Sequence, residues 1–294
     1  LVSGADGTTE IFDHTVRVHQ AGPELLAGIE ALIACADDLT DIGDGAAPYD
    51  RAAPPRDPCL IPSDGPELSL LGPAKLHGHE GPPPRQQVIE LLAFISCHPE
   101  GASTDQIIDA LWPGRLPANK TVYNLMAEAR RTVGSNPDGT GRLMAVGARW
   151  RALATDIDRF RALANAGDDD AALRLVRGRP FDGLENTGWV VRDGHQLAVT
   201  DLIVDVALRC ARRHLDEGDL RGVEAAAAAG LRASPWDERL YQLRMHAAHQ
   251  RGDKVRVKAL YEELRAVVDD EVAPHDDVLP DTTRLVHQLL NQAV

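Results

Sequence analysis

No apolar run in this chain approaches the roughly 20 residues that span a bilayer, and no charged segment followed by an apolar one opens it. Neither a membrane span nor a secretion signal is therefore read from it. The four cysteines, Cys35, Cys59, Cys97 and Cys210, form no C-x-x-C pair, which argues against a zinc ribbon or a disulfide framework. Free, buried thiols in a reducing cytoplasm are the simpler expectation. There is no G-x-x-x-x-G-K loop for phosphates and no G-x-S-x-G elbow for a nucleophile. His246 and His249 share one helical face without a third ligand nearby in the sequence, and read as surface histidines. Asp168-Asp169-Asp170 reads as helix N-terminal carboxylates, and His275-Asp276-Asp277 as a solvated loop. No enzyme, cofactor, metal or small-molecule substrate is expected.

What is present is a chain of 294 residues with 44% hydrophobic and 26% charged content, enough for two domains with real cores. It begins at Leu1 in a polar stretch, which points to an excerpt from a longer polypeptide. The net charge of −14 argues at first against nucleic acid, but it is unevenly spread. Residues 1–83 carry −10, residues 84–153 carry +2 and residues 154–294 carry −6. Between Pro113 and Leu153, seven basic residues face only Glu128 and Asp138. A local positive surface on an acidic protein suits a site-selective DNA binder, because the acidic flanks repel phosphate elsewhere.

Four segments are expected. Residues 1–40 form a small α/β element, strand-like from Thr8 to Gln20 and helical from Pro23 to Asp38. Residues 41–65 have the Pro/Gly/Asp-rich composition of a linker. Within 66–153, Glu67 to His77 reads as one or two strands. Helices follow over Arg85–Cys97, from a capping box at Ser103-Thr104-Asp105-Gln106 to Trp112, and over Asn119–Val133. A hairpin then folds about Gly147-Ala148. Helix-turn-helix plus hairpin is a winged helix.

On the third helix, Val122, Leu125, Met126, Ala129 and Val133 share one side, while Lys120, Asn124, Ala127, Glu128 and Arg131 share the other. Lysine and arginine can hold phosphates or guanine edges, and asparagine can pair with adenine. Arg130 and the hairpin's Arg142, Arg149 and Arg151 extend this candidate DNA-binding set. The same stripe is what an amphipathic helix shows to water with no ligand at all, so the stripe alone leaves both readings open.

In residues 154–294, Gly218-Asp219 and Gly252-Asp253 stand 34 residues apart, the period of a tetratricopeptide hairpin. Helices are expected over Asp156–Asn165, Asp169–Val176, Thr187–Leu215 with a weak point at Gly194, Leu220–Ala233, Trp236–Gln250, Lys254–Val268 and Thr282–Asn291. The alanines at 225–229 would let helices approach closely. Leu231, Leu240, Leu243, Leu260 and Leu264 would supply a core independent of the winged helix. The fold class expected is mainly α, a winged helix followed by a tetratricopeptide-like array.

An ordered series of fragments carries a resemblance. It runs Leu70-Leu71-Gly72-Pro73, Glu90-Leu91-Leu92-Ala93-Phe94, Asp105-Gln106-Ile107-Ile108-Asp109-Ala110-Leu111-Trp112-Pro113, Ala129-Arg130-Arg131 and Asp156-Ile157-Asp158-Arg159-Phe160. It continues with Gly178-Arg179-Pro180-Phe181, Ser234-Pro235-Trp236-Asp237-Glu238 and Tyr261-Glu262-Glu263-Leu264-Arg265. From about Glu67 to Leu290 the chain resembles the Streptomyces antibiotic regulatory protein (SARP) type of transcriptional activator. In that family an OmpR-like winged helix precedes a bacterial transcriptional activator domain. The resemblance implies that helix 119–133 is the recognition helix. It also implies that the array contacts RNA polymerase or other transcription proteins and self-associates, with double-stranded DNA as the principal partner. Glu128 departs from the pattern, since relatives tend to carry a basic residue there. Some relatives place such regions at the end of larger, membrane-anchored proteins. The competing reading is a non-enzymatic interaction scaffold with a degenerate winged helix, the C-terminal part of such a protein.

Overall fold

The computed structural model describes residues 2–3, 8–11, 14–17, 65–79, 81–136, 139–146, 149–151, 155–271 and 278–291. It divides into two units, Leu1–Pro55 and Arg56–Val294. In the first, β1 (Val2–Ser3), β2 (Thr8–Ile11) and β3 (His14–Arg17) form an antiparallel sheet in that order. The strand-like stretch from Thr8 is thus a hairpin, with Glu10 opposite Thr15. The helix expected over Pro23–Asp38, the linker up to Asp64, and Cys35 and Cys59 lie outside the described residues.

The second unit is mainly helical. It opens with an antiparallel pair, β4 (Glu67–Ser69) and β5 (Lys75–His77). Three helices follow: α1 (Gln86–Ser96), α2 (Thr104–Leu111) and α3 (Asn119–Val133). The capping box forms as the sequence requires, with Ser103 Oγ accepting from the Gln106 amide and Gln106 Oε1 accepting from the Ser103 amide. Gly134, at φ 64°, ends α3 in the left-handed region that favours glycine. The hairpin of β7 (Met144–Val146) and β8 (Arg149–Arg151) gains a third strand the sequence did not disclose, β6 (Ala102–Ser103), paired to β8. Two residues are too short a run for alternation to register.

The array comprises α4 (Asp156–Asn165), α5 (Asp169–Arg174), α6 (Gly188–Arg192), α7 (His195–Asp216), α8 (Leu220–Ala233), α9 (Glu238–Gln250), α10 (Lys254–Glu271) and α11 (Pro280–Asn291). Gly194, at φ 73°, breaks the stretch expected as one weakened helix into α6 and α7. Gly218 and Gly252 take the same left-handed φ at successive hairpins, so the repeated Gly-Asp marks a true structural repeat: Asp219 and Asp253 each accept from amides of the following turn. Ala226, Ala227 and Ala229 are buried, whereas Ala225 is exposed and Ala228 half-buried. Helices approach closely at Gly230, where a Cβ would stand 2.6 Å from Leu240 Cδ1 and 2.8 Å from Ala207 Cβ.

The apolar core of residues 154–294 is in part shared with the segment before them. One apolar cluster runs from Leu68 through the trihelical segment to Ala247, and a smaller one joins α9, α10 and α11 through Tyr241, Leu260 and Leu289. The seam is fixed by polar staples. The buried Asp156 carboxylate accepts from the amides of Leu70 (2.6 Å) and Leu71 (3.1 Å) and pairs with Arg177 at 2.8 Å. Burial pushes this carboxyl above its ordinary value, opposed by those amides and Arg177. Glu90, also buried, accepts from the amides of Glu185 and Asn186 and from Asn186 Nδ2. Gly72 lies so close to Gly178 that a Cβ would meet its nitrogen at 2.9 Å.

Candidate nucleic-acid interface

Helix α3 buries Val122, Leu125, Met126, Ala129 and Val133, the five residues its spacing assigns to the core. The opposite row, Lys120, Asn124, Ala127 and Arg131, is exposed. The side chains of Lys120 and Asn124 make no hydrogen bond or ion pair among the described residues, and that of Arg131 bonds only to its own helix, Nε to the Ala127 carbonyl at 3.3 Å. Ala118, the N-cap residue, makes no side-chain hydrogen bond to the first amides of α3.

Glu128 sits at one edge of this row and is turned aside. Arg85, at the start of α1, grips both its oxygens, with Nε at 2.9 and 3.1 Å and a terminal nitrogen closing the fork. The Arg85 hydrogen bond is the principal influence holding the Glu128 carboxyl below its usual value; partial burial opposes it. The carboxylate that sequence reasoning set against DNA is therefore neutralised within the chain. Arg85 was missed because its partner lies far along the sequence.

At the other edge, the Arg130 guanidinium stacks 4.6 Å from the centre of the Trp150 ring on β8. Trp150 Nε1 reaches Thr104 Oγ1 at 3.4 Å. Trp150, flanked in sequence by Arg149 and Arg151, is the signal that could have shown this link. Between α2, α3 and β8 lies a groove of about 320 Å³ lined by Ile108, Tyr123, Met126, Arg130 and Trp150, among others. Tyr123 is 79% exposed beside it.

The remaining arginines are less free than their positions suggested. Arg149 donates to the Gly101 carbonyl at 2.8 Å, fastening β8 to the turn before β6. Arg142 is half-buried, donates to the Ser135 carbonyl at 3.2 Å and lies against Gly65. The Arg151 side chain lies outside the described residues.

Of the other candidate clusters, the three aspartates lie at a helix N-terminus as the sequence indicates. Asp168 caps α5 as expected, accepting from the Ala171 amide. Asp169 pairs with Arg209, and Asp170 with Arg213 and His214, so two of the three aspartates bridge α5 to α7. His246 and His249 are half-buried and not surface residues, because α9 is flanked by α8, α10 and α11; burial, then His249, lowers the His246 pKa. Neither joins a cluster of three metal-ligating groups among the described residues. Cys97 and Cys210 are free thiols, each pushed up to about 12, chiefly by burial. His275-Asp276-Asp277 lies outside the described residues. No described helix is long and apolar enough to cross a membrane.

Helices stacked on a helix-turn-helix and hairpin can be compared with known proteins on both halves. Residues 149–290 match the family model of the bacterial transcriptional activator domain. That match covers α4 to α11 and just under half of the chain. It is to a domain of transcription regulators and not of enzymes. A solved structure of Mycobacterium tuberculosis EmbR, in complex with a low affinity phosphopeptide, superposes with a TM-score of 0.54 at 21% identity. It covers 76% of this chain and 65% of that one, a likeness of fold that reaches beyond the activator domain. An uncharacterized 47.3 kDa protein in the thcA 5' region of Rhodococcus erythropolis is 26% identical over 171 residues. The aligned part is 57% of this chain and spans little more than a third, 36%, of that relative's length.

Proposed function

We propose that this chain is a DNA-binding transcriptional regulator of the SARP type. Residues 66–153 act as an OmpR-like winged helix and residues 154–294 as the activator module. Helix α3 enters the major groove with Lys120 and Arg131 on phosphates or guanine edges and Asn124 on a base edge. The observation that carries this reading is the exposed row Lys120, Asn124, Arg131 beside a Glu128 already neutralised by Arg85. Arg149 fastens the hairpin to the turn before β6, Arg142 holds the chain after α3 through the Ser135 carbonyl, and Arg130 links α3 to the hairpin through Trp150. The array presents its helices to RNA polymerase, to other transcription proteins or to a second copy of the chain, in the cytoplasm.

Binding to a genomic DNA pool at two salt concentrations tests this. Lys120→Ala and Arg131→Ala should each weaken binding and reduce the salt slope by about one phosphate equivalent, with folding unchanged. Unaltered affinity and slope in both folded variants would remove α3 from the interface. The scaffold reading, favoured by the exposed Tyr123 beside an apolar groove, would then lead.

A further inference from the structure

His98, Asp193 and His195 come together where the trihelical segment meets the array, although they are far apart in sequence. His98 follows the end of α1, Asp193 ends α6 and His195 begins α7. Each offers one ligand atom, and these atoms all lie within 4.8 Å of one another. The two imidazole centres are 5.5 Å apart at an interplanar angle of 69°. Two imidazoles on one tetrahedral ion, with metal–nitrogen bonds of about 2.0–2.1 Å, place their ring centres about 5 Å apart, close to the spacing of His98 and His195.

The outer contacts of the cluster orient it. His98 Nδ1 is 2.7 Å from the Phe94 carbonyl, which can only accept; the ring therefore donates through Nδ1 and, when neutral, keeps the lone pair on Nε2. This is the arrangement that fixes the tautomer of metal-ligating histidines. Arg192 Nε donates to Asp193 Oδ1 at 2.9 Å, which leaves Oδ2 open. The Trp189 ring, edge-on to His195 at 5.8 Å, and Phe94, 4.3 Å from His98, form an apolar wall on one side. Arg161 and Arg192 stand nearby as well, so an ion held mainly by charge, such as Mg²⁺ or Ca²⁺, gains little here. Imidazole donors instead suit a borderline transition metal.

We infer that His98, Asp193 and His195 form a site for a divalent transition metal of the zinc class, with two nitrogens and one carboxylate oxygen as ligands and a fourth position open. Its ligands come from both sides of the seam. An occupied site ties α1 to the α6–α7 corner, so metal loading sets the stability of the junction between the two modules. The site stands independently of DNA binding.

Titrating the EDTA-treated full chain with Co²⁺ and following visible absorption tests this. One equivalent should bind with a tetrahedral-type spectrum and be displaced by Zn²⁺, and either metal should raise the melting temperature by several degrees. Asp193→Asn, at an exposed position, and His195→Gln should each lower the affinity at least tenfold while circular dichroism shows the helices retained. His246→Gln/His249→Gln should bind like the parent. No saturable binding by the parent chain overturns the proposal, as does parental affinity in Asp193→Asn and His195→Gln. Loss of binding in His246→Gln/His249→Gln alone places the metal elsewhere and overturns it equally. Should His195→Gln not fold, the parent titration and Asp193→Asn decide.

Discussion

Arg244 in the array and Arg131 on α3 are equal in a charge count and opposite in the molecule. Arg244 is buried and divided between Glu224 at 2.9 Å and Glu263 at 3.2 Å, binding α9 to α8 and α10. Arg209 and Arg213 likewise end on Asp169 and Asp170. Arg131 is exposed and meets only a carbonyl of its own turn. In the array, opposite charges are consumed in joining helices; on α3 the one carboxylate, Glu128, is drawn off to Arg85 and the cations are left outward. The overall charge of −14 therefore says little about what either surface can bind.

The comparison breaks most severely where a buried bridge is removed. Asp156→Ala leaves two buried amides and the Arg177 guanidinium without their acceptor, and should cost about 3 kcal/mol or more, read from the shift in urea unfolding. A loss under about 1 kcal/mol would mean that the seam is solvated and the modules are loosely joined.

A smaller effect separates close packing from mere alanine content. Gly230→Ala pushes a methyl against Leu240 and the helix-borne Ala207. Overpacking of about 1–3 kcal/mol should outweigh the gain in helix propensity of up to about 1 kcal/mol. Ala228→Leu, at a half-buried position, should change the melting temperature less. The reverse order would show that the α8 register has been assigned to the wrong face.

On the other surface the expected changes are in binding more than in stability. Glu128→Arg should raise affinity for mixed-sequence DNA, because it adds a cation to the row and releases Arg85 as a second. Binding identical to the parent would place α3 away from DNA. The least effect is in pH dependence. Glu128 has its pKa depressed by Arg85, so its contribution is present above the ordinary carboxylate pKa and is lost as pH falls through the depressed value. Arg85→Ala should flatten that part of the acid unfolding curve slightly, since the pair is largely exposed.

Local patterns in the sequence sufficed for most helices. The Ser103–Gln106 capping box, the apolar side of α3 and the two Gly-Asp hairpins are set by neighbours within a few residues, and all three appear in the structure. An element without such a local signal was not legible: β6 exists only because β8 pairs with it, whereas the weak point at Gly194 is read from the sequence and its left-handed turn divides α6 from α7. The site divides in the same way. Helical periodicity alone places Lys120, Asn124 and Arg131 in one exposed row. Only tertiary packing joins Glu128 to Arg85, Arg130 to Trp150 and His98 to His195, because each pair is brought together by burying one core shared between the modules. A sequence records which charges and rings a chain carries; the closing of distant segments over that core decides which of them satisfy one another and which are left for a partner.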